Sequence, residues 1–161
     1  PLGAADVLSI VQGFGDTNRA AAIDMMKASI AADLSITDAL ALMGENAQEP
    51  ARFRIMQSLV QAGRLQRPLA ADDAVTLMSR FHDNLRISAI AVIDNHIAAG
   101  LSVQQALDLM GPQEKETVRH RALLALARAH KLKTPLSAEE KLQLLEGLTG
   151  NYRAGALQVI K

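Results

Sequence analysis

Arginines are the reactive or ligand-binding residues that recur at a regular spacing in this 161-residue chain. One arginine recurs at alternating intervals of 35 and 32 residues. A guanidinium group presents N–H donors in a fixed fork, so it can bind a carboxylate or phosphate, or bond the backbone carbonyls of a neighbouring element. A charge repeated in every unit of an array is more typical of a structural bond than of five copies of a ligand site. The positions are Arg19, Arg54, Arg86, Arg121 and Arg153, and we predict that Arg19, Arg86 and Arg153 are structural.

Two of these positions carry a second arginine two residues earlier, Arg52 and Arg119. Residues two apart on a helix point to roughly opposite sides, so one member of each pair can face solvent. Three extra residues precede each pair, and repeat proteins place such insertions on one face, often the binding face. We predict a mixed-charge protein-binding edge here; the alternative is that the longer turns, 45–49 and 112–116, only adjust the helix angle. The edge would contain Arg52, Arg54, Glu114, Glu116, Arg119 and Arg121.

A basic stretch runs from Arg119 to Lys133, with seven cationic or titratable side chains and no acid between Thr117 and Ser137. It could meet phosphate or an acidic partner. Acids lie close by in sequence, however, and no interleaved aromatic residues offer bases a stacking platform. We therefore expect no nucleic-acid partner.

Catalytic and metal-binding patterns are missing from the sequence. The four histidines show no H-E-x-x-H spacing, and no nucleophile elbow, phosphate-binding loop or dinucleotide-binding loop occurs. Distinctive polar residues recur with the repeat, as expected of a scaffold rather than of one catalytic centre. We predict a protein that is not an enzyme, with no catalytic residue, metal or cofactor. The histidines, predicted to lie on the surface, are His82, His96, His120 and His130.

The elements that position these residues follow from an internal duplication. Residues 1–67 and 68–134 align without a gap and share 25 identical positions. A leucine divides each block again, with spacings of 32 and 35 residues in alternation. The resulting five units span about 1–32, 33–67, 68–99, 100–134 and 135–161, and their leucines are Leu2, Leu34, Leu69, Leu101 and Leu136.

A unit of this length accommodates two short helices but cannot bury its own apolar face. Capping boxes at Ser35, Ser102 and Ser137 predict the starts of first helices, and Gly44 and Gly111 predict their ends. Apolar residues at helical spacing, with no alternating β-branched run, favour helices throughout. We predict an all-α fold of tandem helical hairpins, stacked as a short α-solenoid in a single domain. Second helices should begin near Asp16, Pro50, Asp83, Thr117 and Asn151.

Composition supports a helical core and leaves the compartment open. Hydrophobic residues make up 49% of the chain but aromatic residues only 2%, so the core should consist of Ala, Leu, Ile, Val and Met. Met43, Met78 and Met110 share one repeated position, which indicates packing rather than metal binding. Acidic and basic residues balance at 17 each, there is no cysteine, and neither a transmembrane run nor a signal peptide is evident. Pro1-Leu2-Gly3 is either native or a cloning remnant.

The units repeat the pattern Leu-Ser-x-x-[Asp/Glu/Gln], followed later in the unit by an arginine. Over its whole length, the chain resembles the α-solenoid repeats, such as tetratricopeptide and HEAT arrays. The tetratricopeptide aromatic and glycine signature is absent, and HEAT units usually run longer. The resemblance implies protein or peptide binding on an extended helical surface. We therefore predict a non-catalytic interaction or scaffold module, with self-association through the exposed end of the array as an option. The alternative is a small-molecule or lipid carrier with an apolar cavity between helices.

Overall fold

The computed structural model describes residues 1–160, which form ten α-helices and no β-strand. The all-α prediction is therefore confirmed. Two short 3₁₀ turns, Lys27–Ser29 and Asp94–His96, extend the second and sixth helices. Within residues 1–160, no helix is both long enough and apolar enough to cross a membrane. The helices are α1 (Ala4–Val11), α2 (Asp16–Met26), α3 (Ile36–Met43), α4 (Glu49–Gln61), α5 (Ala71–Met78), α6 (Asp83–Ile93), α7 (Val103–Met110), α8 (Glu116–Arg128), α9 (Ala138–Leu145) and α10 (Gly150–Val159).

The chain folds as two compact units, and the second begins at Pro68, where the second sequence block begins. In the first unit, α1 packs against α3 and α2 against α4. In the second unit, α5, α7 and α9 pack in succession, as do α6, α8 and α10. Within each unit, first helices therefore contact first helices and second helices contact second helices.

Every first helix has eight residues, and the starts predicted at Ser35, Ser102 and Ser137 and the ends predicted at Gly44 and Gly111 are confirmed. Ser102 and Ser137 form complete capping boxes, while Ser35 accepts a hydrogen bond from the amide of Asp38. Gly44 and Gly111 end α3 and α7 with φ angles of 90° and 86°. These angles favour glycine because a side chain is strained in the left-handed region.

The second helices correct the predicted register of the arginines. The fourth residue of each is an arginine, at positions 19, 52, 86, 119 and 153. Arg52 and Arg119, rather than Arg54 and Arg121, are therefore the equivalents of Arg86. In the units 33–67 and 100–134, only one of the three extra residues lies before the second helix. The other two lengthen α4 and α8, which have 13 residues against 11 in α2 and α6.

The core is aliphatic, as the composition predicts. Met43, Met78 and Met110 are at most 1% exposed, each at the end of a first helix. The repeated leucines form single parallel bridges that join the start of a hairpin to its end. The bridged pairs are Leu2 with Ile30, Leu34 with Leu65, Leu69 with Ile97, and Leu101 with Leu132.

Candidate functional site

Arg86 bonds the end of the first helix in the next hairpin. Its Nε donates to the carbonyl of Leu109 at 3.0 Å, and Nη2 donates to that of Asp108 at 2.8 Å. The last carbonyls of a helix have no intrahelical partner, and a cation is favourable at that end. Arg19 makes the same pair of bonds in the first unit, at 3.1 and 2.7 Å, to α3.

Arg86 is also one of the few buried charged residues, with only 5% of its surface exposed. Its Nη1 donates to the carbonyls of Met78 and Phe81, at 3.2 and 3.3 Å. Burial lowers the pKa of Arg86, and the nearby carboxylate of Glu114 opposes that shift. Backbone carbonyls thus accept hydrogen bonds from all three nitrogens of this guanidinium.

The other repeated arginines also donate to backbone carbonyls near the ends of first helices. Arg119 donates to the carbonyl of Gly147 at 2.8 Å, just beyond the end of α9 in the next hairpin. Arg52 and Arg153 donate within their own hairpins, at 3.5 and 3.4 Å. The exposed arginines Arg54 and Arg121 lie on α4 and α8.

Both glutamates of the predicted partner-binding edge contact the neighbouring hairpin. Glu114 accepts from the backbone amide of Asp83 at 3.1 Å, and its other oxygen lies 3.1 Å from Nδ1 of His82. Glu116 accepts from the backbone amide and the hydroxyl of Thr149. These bonds lower the pKa of the Glu116 carboxyl. The edge therefore retains Arg54 and Arg121 as its exposed charges.

A second set of acids was missed by sequence reasoning. Asp16, the first residue of α2, accepts from the backbone amide of Gln48 at 2.8 Å, just before α4. Glu116 at the start of α8 does the same for Thr149, before α10. The available signal was an acid at the first position of the helices α2, α4, α6 and α8. Asp16 and Glu116 thus fix the start of one second helix to the start of the next within their own units.

Two of the four histidines are not on the surface. His96 is 7% exposed, and His120 lies half-buried on α8, with its ring centroid 5.1 Å from that of Tyr152 on α10. Desolvation lowers the pKa of His120, and two arginines reinforce the shift. His82 and His130 are exposed. In the part of the chain covered by residues 1–160, no three His, Asp or Glu side chains are grouped as metal ligands would be.

An open cavity with a volume of about 900 Å³ adjoins the last hairpin. Its apolar lining comes from the segment after α8 and from the end of α10, and Ala99 and Gly100 contribute a further wall. We call this cavity the terminal groove. Its apolar members include Leu132, Leu136, Val159 and Ile160, and its basic members are Arg128, His130 and Lys133.

The terminal groove has a positive rim. Arg128 and His130 are exposed, whereas Lys133 forms an ion pair with Glu140 beside the groove. No Asp or Glu side chain is among the lining residues of the described chain. The groove therefore combines an apolar floor with two exposed basic side chains, which is suited to an apolar group beside a negative one.

No protein-family model, curated protein or solved structure matches the chain.

Proposed function

We propose that the chain is a non-catalytic module that binds a segment of a protein or peptide partner, with the terminal groove as its principal site. The observation that carries the proposal is the combination of a cavity of about 900 Å³, an apolar floor and the exposed basic side chains of Arg128 and His130. Concave, mostly apolar sites with a few convergent polar groups are typical binding sites.

The other conspicuous polar residues form bonds inside the protein, which supports the choice of the terminal groove as the binding site. Hydrogen bonds between hairpins engage Arg86, Glu114 and Glu116. These side chains therefore hold the hairpins together. The turns of the predicted partner-binding edge are thus occupied by internal contacts. The groove, by contrast, is open.

The proposal includes a short α-solenoid of tandem hairpins. Its support is the recurrence of the same contacts inside each unit, such as the bonds of Arg19 to α3 and of Arg86 to α7. Small-angle X-ray scattering tests it, since a solenoid predicts an elongated particle. A scattering profile that fits two independently moving globules would contradict it.

A carrier of lipid or another small amphiphile is the competing function, and the groove volume is the observation in its favour. Native mass spectrometry of the protein purified from its own cells distinguishes the interaction module from the carrier. The interaction module predicts an unliganded mass, whereas a stoichiometric lipid adduct would favour the carrier.

Panning a library of displayed random peptides against the full chain tests the module directly. We expect enriched peptides that bind the wild type and lose binding to Val159→Asp, which places a charge on the groove floor. Leu157→Asp is the matched control, because Leu157 is 50% exposed on the same helix and is not among the groove residues. No enrichment over repeated rounds would contradict the proposed function.

A further inference from the structure

The first and second helices of the second unit carry opposite charge. The first helices, α5, α7 and α9, contain five acidic residues and one lysine, whereas the second helices, α6, α8 and α10, contain two acidic residues and five arginines. Both acids of the second helices are engaged, Asp83 in an ion pair with Lys115 at 3.7 Å and Glu116 in bonds from Thr149. Charge divided in this way attracts the opposite side of an identical molecule.

Two of the five arginines are exposed, and both lie on α8. Arg121, Leu124 and Arg128 are spaced i, i+3 and i+7, so they share one face of the helix. That face points away from the core, in which Ala122 and Leu126 are fully buried. We call Arg121, Leu124 and Arg128 the arginine ridge.

The arginine ridge occurs in one of the two sequence blocks. The equivalent positions on α4 of the first block are Arg54, Gln57 and Gln61, so neither the leucine nor the second arginine is present there. On the helices that flank α8, several exposed side chains are uncharged. They are Asn84, Ser88 and Ala91 on α6, and Asn151, Ala154 and Gln158 on α10.

Two small pockets lie among the first helices of the same unit, one on each side of α7. The first has a volume of about 320 Å³, lies between α5 and α7, and is lined by Val75. The second has a volume of about 300 Å³, lies between α7 and α9, and is lined by Leu107 and Met110. Asp108 and Pro112 line both, and we call them the twin pockets. Because ligand pockets usually measure about 300–1,000 Å³, each is suited to a single side chain.

Carboxylates are the charged groups that the twin pockets offer to a partner. Arg86 and Arg119 also line them, but both donate to backbone carbonyls. Asp108 accepts from the side-chain amide of Gln104 at 2.9 Å, and Glu146 is exposed. Among residues 1–160, neither of these two carboxylates forms a salt bridge. The pockets therefore combine aliphatic walls with negative charge, which complements the arginine ridge.

We infer that the arginine ridge of one copy of this chain docks in the twin pockets of a second copy. Leu124 enters a pocket, and the two arginines contact the carboxylates of Asp108 and Glu146, as in other helix-in-groove contacts. The spacings are compatible, because Arg121 and Arg128 are two turns, about 10.5 Å, apart along α8 and neighbouring packed helices lie about 8–10 Å apart.

A contact between two different surfaces has a direct consequence for assembly. Each docked copy still has a free ridge and free pockets, so association continues into chains rather than stopping at a dimer. The net charge of zero adds no overall repulsion between copies. This inference goes beyond the proposed function, and its tests alter Arg121, Leu124 and Glu146, which are not among the residues of the terminal groove.

Sedimentation equilibrium of the full chain measures the association. The weight-average mass should rise above that of the monomer as the concentration increases to about 1 mM, where even millimolar contacts are populated. Raising sodium chloride from about 50 mM to about 500 mM should weaken the association, because exposed charges are then screened. A monomer at every concentration at low salt would overturn the inference, as would an association that salt leaves unchanged.

A pair of charge reversals identifies the two surfaces. Arg121→Glu and Glu146→Arg should each weaken self-association about tenfold, because like charges then meet across the contact. An equimolar mixture of the two variants should associate within about threefold of the wild type, since the altered ridge of one variant meets the altered pockets of the other. A mixture that associates as weakly as either variant alone would overturn the pairing of these surfaces.

Two further variants isolate the ridge itself. Leu124→Gln introduces the residue type that α4 has at the equivalent position, Gln57, and should weaken association about tenfold through loss of the apolar anchor. Arg54→Glu, at the position equivalent to Arg121, should leave association within about twofold. Unchanged association of Leu124→Gln, or an equal loss in Arg54→Glu and Arg121→Glu, would overturn the assignment of the ridge. Circular dichroism verifies that each variant is folded.

Discussion

The guanidinium of Arg86 lies directly against Gly111, so that a β-carbon at position 111 would be 2.9 Å from Cζ of Arg86. That glycine also has a φ of 86°. Gly111→Ala should therefore destabilise the protein by about 2 kcal/mol or more, because it adds backbone strain and displaces a buried arginine. Gly63→Ala is the control, since Gly63 has a φ of 66° and nothing near its missing side chain. Chemical denaturation measures both, and equal losses would show that the contact with Arg86 costs nothing.

Removing the Arg86 guanidinium should be among the most destabilising single changes in the chain. Arg86→Met preserves the apolar stem but leaves the carbonyls of Asp108, Leu109, Met78 and Phe81 without their donor, at a cost of about 3 kcal/mol. Urea unfolding measures this loss. Arg121→Met, on an exposed face of α8, should change stability by less than about 0.5 kcal/mol. A similar cost for the two variants would rule out a special structural role for Arg86.

One position of the repeat has a left-handed backbone in both sequence blocks, although its residue type differs between them. His130 has a φ of 56°, and the equivalent position of the first block is Gly63, with a φ of 66°. His130→Gly should stabilise the protein by up to about 1 kcal/mol, and Gly63→His should destabilise it by a similar amount. Thermal unfolding of the pair is the measurement. A loss of stability in His130→Gly would mean that the imidazole makes a contact that outweighs its strain.

The folded state should become less stable on mild acidification because of His120. Burial lowers its pKa below the ordinary 6.5, and Arg121 and Arg128 act in the same direction, against Glu116. The unfolded chain therefore binds more protons as the pH falls through 6.5, which favours unfolding. Melting temperatures from about pH 7.5 to about pH 5.5 should fall more steeply for the wild type than for His120→Asn. Parallel curves would assign the pH dependence to other groups.

At more acidic pH, the stability of the fold depends on carboxylates rather than on His120. Hydrogen bonds from Lys27 and Ser58 lower the pKa of Asp24, and bonds from Lys133 and Ser137 lower that of Glu140. These groups lose their stabilising effect only as the pH falls below their ordinary values of 3.8 and 4.5. The pH window chosen for His120 therefore excludes them.

Local chemistry made the helices predictable from the sequence. Ser102 and Gly111 delimit α7 because a side-chain oxygen and a left-handed backbone act within one turn. The arginine register was less predictable, since Arg52 and Arg54 both fit a repeated position and only the packing of α4 distinguishes them.

Hydrogen–deuterium exchange at single-residue resolution tests peptide binding by the terminal groove most directly. Saturation of the full chain with a peptide selected by panning should slow exchange at amides that line the groove, such as those of Lys133 and Ile160, by at least about tenfold, and leave that of Leu69 unchanged. Peptide binding that protects amides elsewhere, while those of the groove continue to exchange at their free rates, would contradict the terminal groove as the binding site.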